Sequence, residues 1–221
     1  MISKSDNIQL IGDGDSITFG TDGRMQQDYI LRIFNLMNDN GFSNVIMNSY
    51  GVSGRTTKNL IADWDTKVKP NIDNSKTSVL IIMEDINAIL NFETKGAEGA
   101  RTGRENWQDM TTYIAQAKED GIDYVILVTG YYPRTVSGNY NQIWWTEDRL
   151  LMQKEYFDMS NSLSVVGADL VVDLRKETTI GGARSQAHNP LYFDDSVHLL
   201  GLGYDLLGDF VYQQGIKQIT L

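Results

Sequence analysis

The chain has 221 residues, 41% of them hydrophobic, and a formal net charge of −10. This length and apolar content suffice for a full core, suit one domain rather than two, and exclude a disordered chain. The acidic surplus, with no Lys/Arg run, argues against binding nucleic-acid backbones or anionic lipid, and the lack of cysteine excludes disulfides, zinc-thiolate sites and Cys nucleophiles.

Residues 8–12 (IQLIG) predict a first strand. Residues 28–38 carry apolar side chains at helical spacing, and Gly41 stops that helix. Residues 44–48 predict a second strand and 56–64 a short helix. The β-branched, uncharged run 78–83 (SVLIIM) is a buried third strand. A helix over 106–119 ends near Gly121, and 124–129 (YVILVT) is a fourth strand. Residues 142–161 predict a long helix, 168–173 a fifth strand and 203–213 a closing helix. Segments 91–103 and 177–189, glycine-bearing and irregular, are candidate loops near a site.

Alternating strands and helices require crossover connections and a parallel sheet covered on both faces. The expected fold is therefore α/β: one domain over 1–221, a flavodoxin-like three-layer sandwich with a parallel sheet of about five strands. Ligands of such sheets sit at the strands' carboxyl ends, so the residues that follow the strands carry the functional signal. No apolar run reaches the length of a membrane span, and the N-terminus lacks an apolar stretch of signal-peptide length. A soluble chain is expected, either cytoplasmic, part of a larger particle, or a mature secreted chain. Its oligomeric state is left open.

The first strand is followed by Gly14-Asp15-Ser16-Ile17-Thr18, the second by Gly51-Val52-Ser53-Gly54-Arg55-Thr56-Thr57, and the third by Asp85-Ile86-Asn87-Ala88. Late in the chain stands Asp195-Ser196-Val197-His198, then Leu199 and Gly203-Tyr204. In this order the blocks resemble those of the SGNH (GDSL-like) hydrolases. The third block departs from that family's GxND pattern, with Asp85 for the glycine and Ala88 for the aspartate. The resemblance implies a serine esterase without metal or organic cofactor. Ser16 would be the nucleophile, His198 its base and Asp195 the orienting acid, with the oxyanion held by Ser16, Gly54 and Asn87.

The chemistry is consistent with that reading. A serine hydroxyl needs a base within hydrogen-bond reach, and the base needs an orienting group. An Asp three residues before a His can supply that group in a tight turn. Of the two histidines, His188 lies in a Gly/Ser/Asn loop and is expected to be exposed. Tyr131, Tyr132, Trp144 and Trp145 are candidates for a stacking wall against a sugar or acyl group, with core packing as the alternative. The expected partner is a small-molecule or carbohydrate ester, an O-acetyl sugar ester first, with lipid, thio- or aryl esters as alternatives.

Two other readings remain. Asp13-Gly-Asp15 with Thr129 and Asp194-Asp195 could be the DxD start and later motifs of a haloacid-dehalogenase-type phosphatase, with Asp13 as nucleophile and Mg²⁺ bound by Asp15 and the Asp194-Asp195 pair. The altered third block could instead mark a non-catalytic carbohydrate- or protein-binding module on the same fold.

Overall fold

A computed structural model describes residues 1–20, 28–90, 102–135, 145–162, 167–182 and 186–221. Five strands, β1 (Ile8–Gly14), β2 (Val45–Ser49), β3 (Thr77–Met83), β4 (Tyr124–Thr129) and β5 (Leu170–Asp173), form one sheet in the order β2-β1-β3-β4-β5. Every pairing is parallel. The order reverses between β1 and β3, which places a crevice at their carboxyl ends.

The middle strands are buried on both faces, and their side chains alternate between two cores. Val79, Ile81 and Met83 of β3 join one core, and Leu80 and Ile82 join the other. The first core is closed by α2 (Tyr29–Asp39) and α7 (Gly201–Gln214), through Ile30, Ile33, Leu207 and Val211. The second is closed by α3 (Thr57–Lys67), α5 (Gly103–Glu119) and α6 (Glu147–Ser162), through Leu60, Trp64, Ile114 and Phe157. Each fully buried aliphatic side chain contributes about 1.5–3 kcal/mol. This is the expected three-layer arrangement.

Local signals set the helix starts. The Asp28 carboxylate caps α2 by accepting from the Leu31 N–H at 2.6 Å. Thr56 with Asn59, and Thr102 with Glu105, form reciprocal capping boxes at α3 and α5. Two short helices, α1 (Ser16–Phe19) and α4 (Ile86–Leu90), follow β1 and β3 directly and were not foreseen. The expected helix over 142–161 is described from Glu147 onward. Among the described residues no helix is long and apolar enough to cross a membrane.

Candidate active site

The site is built at the carboxyl end of β1. Gly14 lies so close to β3 that a Cβ there would sit 2.2 Å from the Met83 carbonyl oxygen. This contact is open only to glycine. The Asp15 side chain then caps α1, accepting from the Ile17 N–H at 2.8 Å. Capping turns the chain sharply, so that Ser16 opens the helix at the strand's tip.

His198 arrives from the other end of the chain, in the loop before α7. Its Nε2 lies 3.0 Å from Ser16 Oγ, across 182 residues of sequence. Its Nδ1 lies 2.7 Å from Asp195 Oδ2. The second Asp195 oxygen accepts from the backbone N–H groups of Val197 and His198, both at 2.7 Å. The Asp195 hydrogen bond, opposed by partial burial, holds the His198 imidazolium above its ordinary range. Burial alone would raise Asp195, but the hydrogen bonds from His198 and the two backbone N–H groups outweigh it and hold the carboxyl down at about 2. The result is a polarised chain running from carboxylate to imidazole to hydroxyl.

Gly54 stands in the loop after β2 at φ +77°, where a side chain would be strained although space is open around it. Asn87, in α4, points its amide inward. Its Nδ2 donates to the Arg55 carbonyl at 3.1 Å and to Asp15 Oδ2 at 3.3 Å. Ser16, Asn87 and Asp15 are thus brought together under the β1–β3 crevice.

The acid beside Asn87 does not face it openly. Asp85 is buried, accepts from Gln153 Nε2 of α6 at 2.7 Å, and lies against Gly130. Burial pushes its carboxyl up to about 7, against the Gln153 hydrogen bond, with the nearby Asp15 adding to the rise. Burial likewise raises Asp15 to about 6 and Glu84 well above its ordinary range. Burial thus disfavours the charged form of these groups behind the serine.

Several sequence expectations need correction. Asp13 is not poised as a nucleophile. It is fully buried, 2.6 Å from Arg55 Nη1, and takes the Tyr113 hydroxyl as well. Asp15 is occupied in capping and Thr129 is buried within β4, so the phosphatase reading loses its main residues. Tyr131, Tyr132 and Trp145 do not form an open wall. Tyr131 is 0% exposed against Phe193, Tyr132 packs edge-on to Phe157, and Trp145 joins Ile86, Leu90 and Leu150 in a small apolar cluster. These rings lie close enough to the sheet end to be drawn into the cores. Trp144 and residues 91–101 lie outside the described residues. His188 is half-buried rather than exposed, with Nε2 2.9 Å from the Phe193 carbonyl.

Arg55 was not foreseen as a site residue. Its guanidinium is buried between Asp13 and Asp63 and also donates to the Tyr50 carbonyl. It ties the loop carrying Gly54 to the floor of β1. The only sequence signal was a lone arginine inside a glycine- and threonine-rich turn.

No family model matches the chain, and no curated protein matches it. Solved structures do. A variant of Axe2, an acetyl-xylooligosaccharide esterase from Geobacillus stearothermophilus, is 17% identical over 96% of each chain, with a TM-score of 0.69. A lipase/acylhydrolase from Enterococcus faecalis is 20% identical over 95% of this chain and 96% of its own, also with a TM-score of 0.69. The chain has their fold. An acetyl xylan esterase, AlAXEase, shares it as well, at 17% identity over 93% of this chain and 98% of its own, with a TM-score of 0.64.

Proposed function

We propose that the chain is a serine ester hydrolase, with Ser16 as nucleophile, His198 as general base and Asp195 as the group that orients it. The single observation that carries this reading is the continuous path Asp195 Oδ2–His198–Ser16 Oγ, with steps of 2.7 and 3.0 Å, at the carboxyl end of a parallel sheet. The fold shared with esterases supports it.

His198 Nε2 takes the Ser16 proton as Oγ attacks the ester carbonyl carbon. The Asp195 carboxylate holds the Nδ1–H and stabilises the imidazolium that forms. Collapse of the tetrahedral intermediate breaks the bond to the alcohol, which leaves with the proton from His198. The acyl group stays on Ser16. Water, deprotonated by His198, then releases the acid. The backbone N–H groups of Ser16 and Gly54 and the Asn87 amide are the candidate oxyanion donors. Asn87 would release one of its two present acceptors, both at hydrogen bonds longer than 3 Å, to meet the developing charge.

The substrate class we favour is an O-acetylated carbohydrate. Two of the similar structures are esterases of acetylated xylan or its oligosaccharides. Intact-mass labelling with a fluorophosphonate at about pH 8 tests the nucleophile, since a raised His198 calls for a mildly alkaline medium to free its imidazole. One adduct is expected on the unmodified chain, insensitive to EDTA and absent from Ser16→Ala. No adduct, or an adduct that persists in Ser16→Ala, would overturn the assignment, and the first result would favour a binding module.

A further inference from the structure

The loop that carries Asp195 and His198 is exposed, with side-chain accessibilities of 51% and 30% for the two residues. An exposed loop does not hold a base at a fixed distance from a buried serine unless something fixes its backbone. Two successive carbonyls of that loop are held by the segment that leaves β4. The Arg134 N–H donates to the Ser196 carbonyl at 2.7 Å, and the Tyr131 hydroxyl donates to the Val197 carbonyl.

The second contact is the telling one. The Val197 carbonyl and the His198 N–H belong to the same peptide unit. Its N–H donates to Asp195 Oδ1 at 2.7 Å, while its oxygen receives the Tyr131 hydroxyl. This peptide is therefore fixed on both sides, and donation to its oxygen strengthens donation from its nitrogen. The Tyr131 ring is itself immobile. It is fully buried, packed edge-on against Phe193 at 5.7 Å, and Phe193 also lies under the Arg134 guanidinium at 4.9 Å. That guanidinium is buried and donates to the carbonyls of Ile180 and Gly181 and to the Gln186 side chain. The segment after β4 is a rigid post, and the histidine loop is attached to it.

We propose that Tyr131 is a positioning residue for His198: its hydroxyl fixes the 197–198 peptide and, through it, the Asp195–His198–Ser16 alignment. The proposal rests on the hydrolase reading for its catalytic consequence but not for its structural one. The charged groups facing the imidazole are Asp195, Asp15 and Asp194. Only Asp195 is held by the fixed peptide.

The test is Tyr131→Phe, which keeps the ring and removes the hydroxyl, compared with Phe193→Leu, which alters the packing and keeps the hydroxyl. With two histidines in the chain, the imidazole NMR signals are assigned with His198→Gln. In Tyr131→Phe the His198 titration is expected to move to lower pH, because the bond to Asp195 that raises it loosens. The kcat on 4-nitrophenyl acetate is expected to fall about tenfold, the equivalent of one net hydrogen bond, with KM within about twofold. Phe193→Leu is expected to lower the melting temperature and, because the Tyr131 hydroxyl remains, to move the titration less than Tyr131→Phe does. A lower melting temperature in Tyr131→Phe with an unmoved titration and kcat would overturn the proposal, as would an equal shift in both variants. Hydrolysis surviving Ser16→Ala would instead overturn the hydrolase reading, and the titration would still decide the role of Tyr131.

Discussion

Replacing Asp195 with Asn isolates the orienting carboxylate with little change of shape. The asparagine oxygen can still accept from the Val197 and His198 N–H groups, as Oδ1 does at 2.7 Å. Its NH₂ would then face His198 Nδ1, which must become an acceptor. The ring proton moves to Nε2, where it points at Ser16 and cannot receive the serine proton. In a buried triad the wrong tautomer costs about 10⁴ in kcat. Here the Asp195 side chain is 51% exposed, so water can replace the lost acceptor and part of the population keeps the productive tautomer. We therefore expect a fall of roughly 10²–10³ in kcat/KM, about 2.7–4 kcal/mol of transition-state stabilisation. The acidic limb of the pH–rate profile should also move to lower pH, since the hydrogen bond to Asp195 is the leading cause that raises His198. Initial rates on 4-nitrophenyl acetate across about pH 5–9, with a melting curve as control, measure both effects. A kcat/KM within about threefold of the unmodified chain, with an unmoved limb, would refute the orienting role.

Arg55→Met should destabilise the chain by about 3–5 kcal/mol, because it leaves Asp13 buried without its cation, and adding Asp13→Leu should recover part of that loss. Urea unfolding measures it, and a loss below about 1 kcal/mol would mean that the Tyr113 hydroxyl alone satisfies Asp13. Burial pushes Asp85 up to about 7 and Asp15 to about 6, so folding takes up protons between about pH 4 and pH 7. Their contribution is fully present below about pH 4 and is lost as pH rises from there to about 7. Stability should therefore fall from about pH 4 to pH 7, and Asp85→Asn should flatten the slope. Unfolding free energies that rise over this range would contradict the assignment.

The sheet was legible because its strands are dense apolar runs. The run 78–83 could hardly be anything but a strand buried on both faces, and β3 spans Thr77–Met83. The helix starts at Gly103 and Gly201 were expected at 106 and 203; at Gly103 glycine counts against a helix on propensity alone. Packing decided otherwise at Gly103, where a Cβ would meet the Met152 carbonyl of α6 at 2.2 Å. The blocks around Ser16, Gly54, Asn87 and His198 are short, so their residues could be named before any geometry was known. The layer beneath them could not. Asp13, Arg55, Glu84 and Asp85 are charged residue types that sequence reasoning assigns to solvent, and their burial depends on partners 42 and 68 residues away, as in Arg55–Asp13 and Gln153–Asp85. The aromatic residues after β4 misled for the opposite reason. A ring at a strand's carboxyl end can face ligand or core with equal sequence cost, and Tyr131 faces the core while its hydroxyl serves the histidine loop.

The separation of 182 residues between Ser16 and His198 has a consequence for synthesis. A ribosome delivers the serine early and the histidine late. Under the proposed triad, the hydroxyl would have no base while the intervening strands emerge and pair, and the chain would be inert toward esters. On that reading, reactivity would switch on when the loop before α7 docks on the segment after β4. Covalent labelling of Ser16 during translation would therefore mark molecules whose histidine loop has docked and leave the others unmarked.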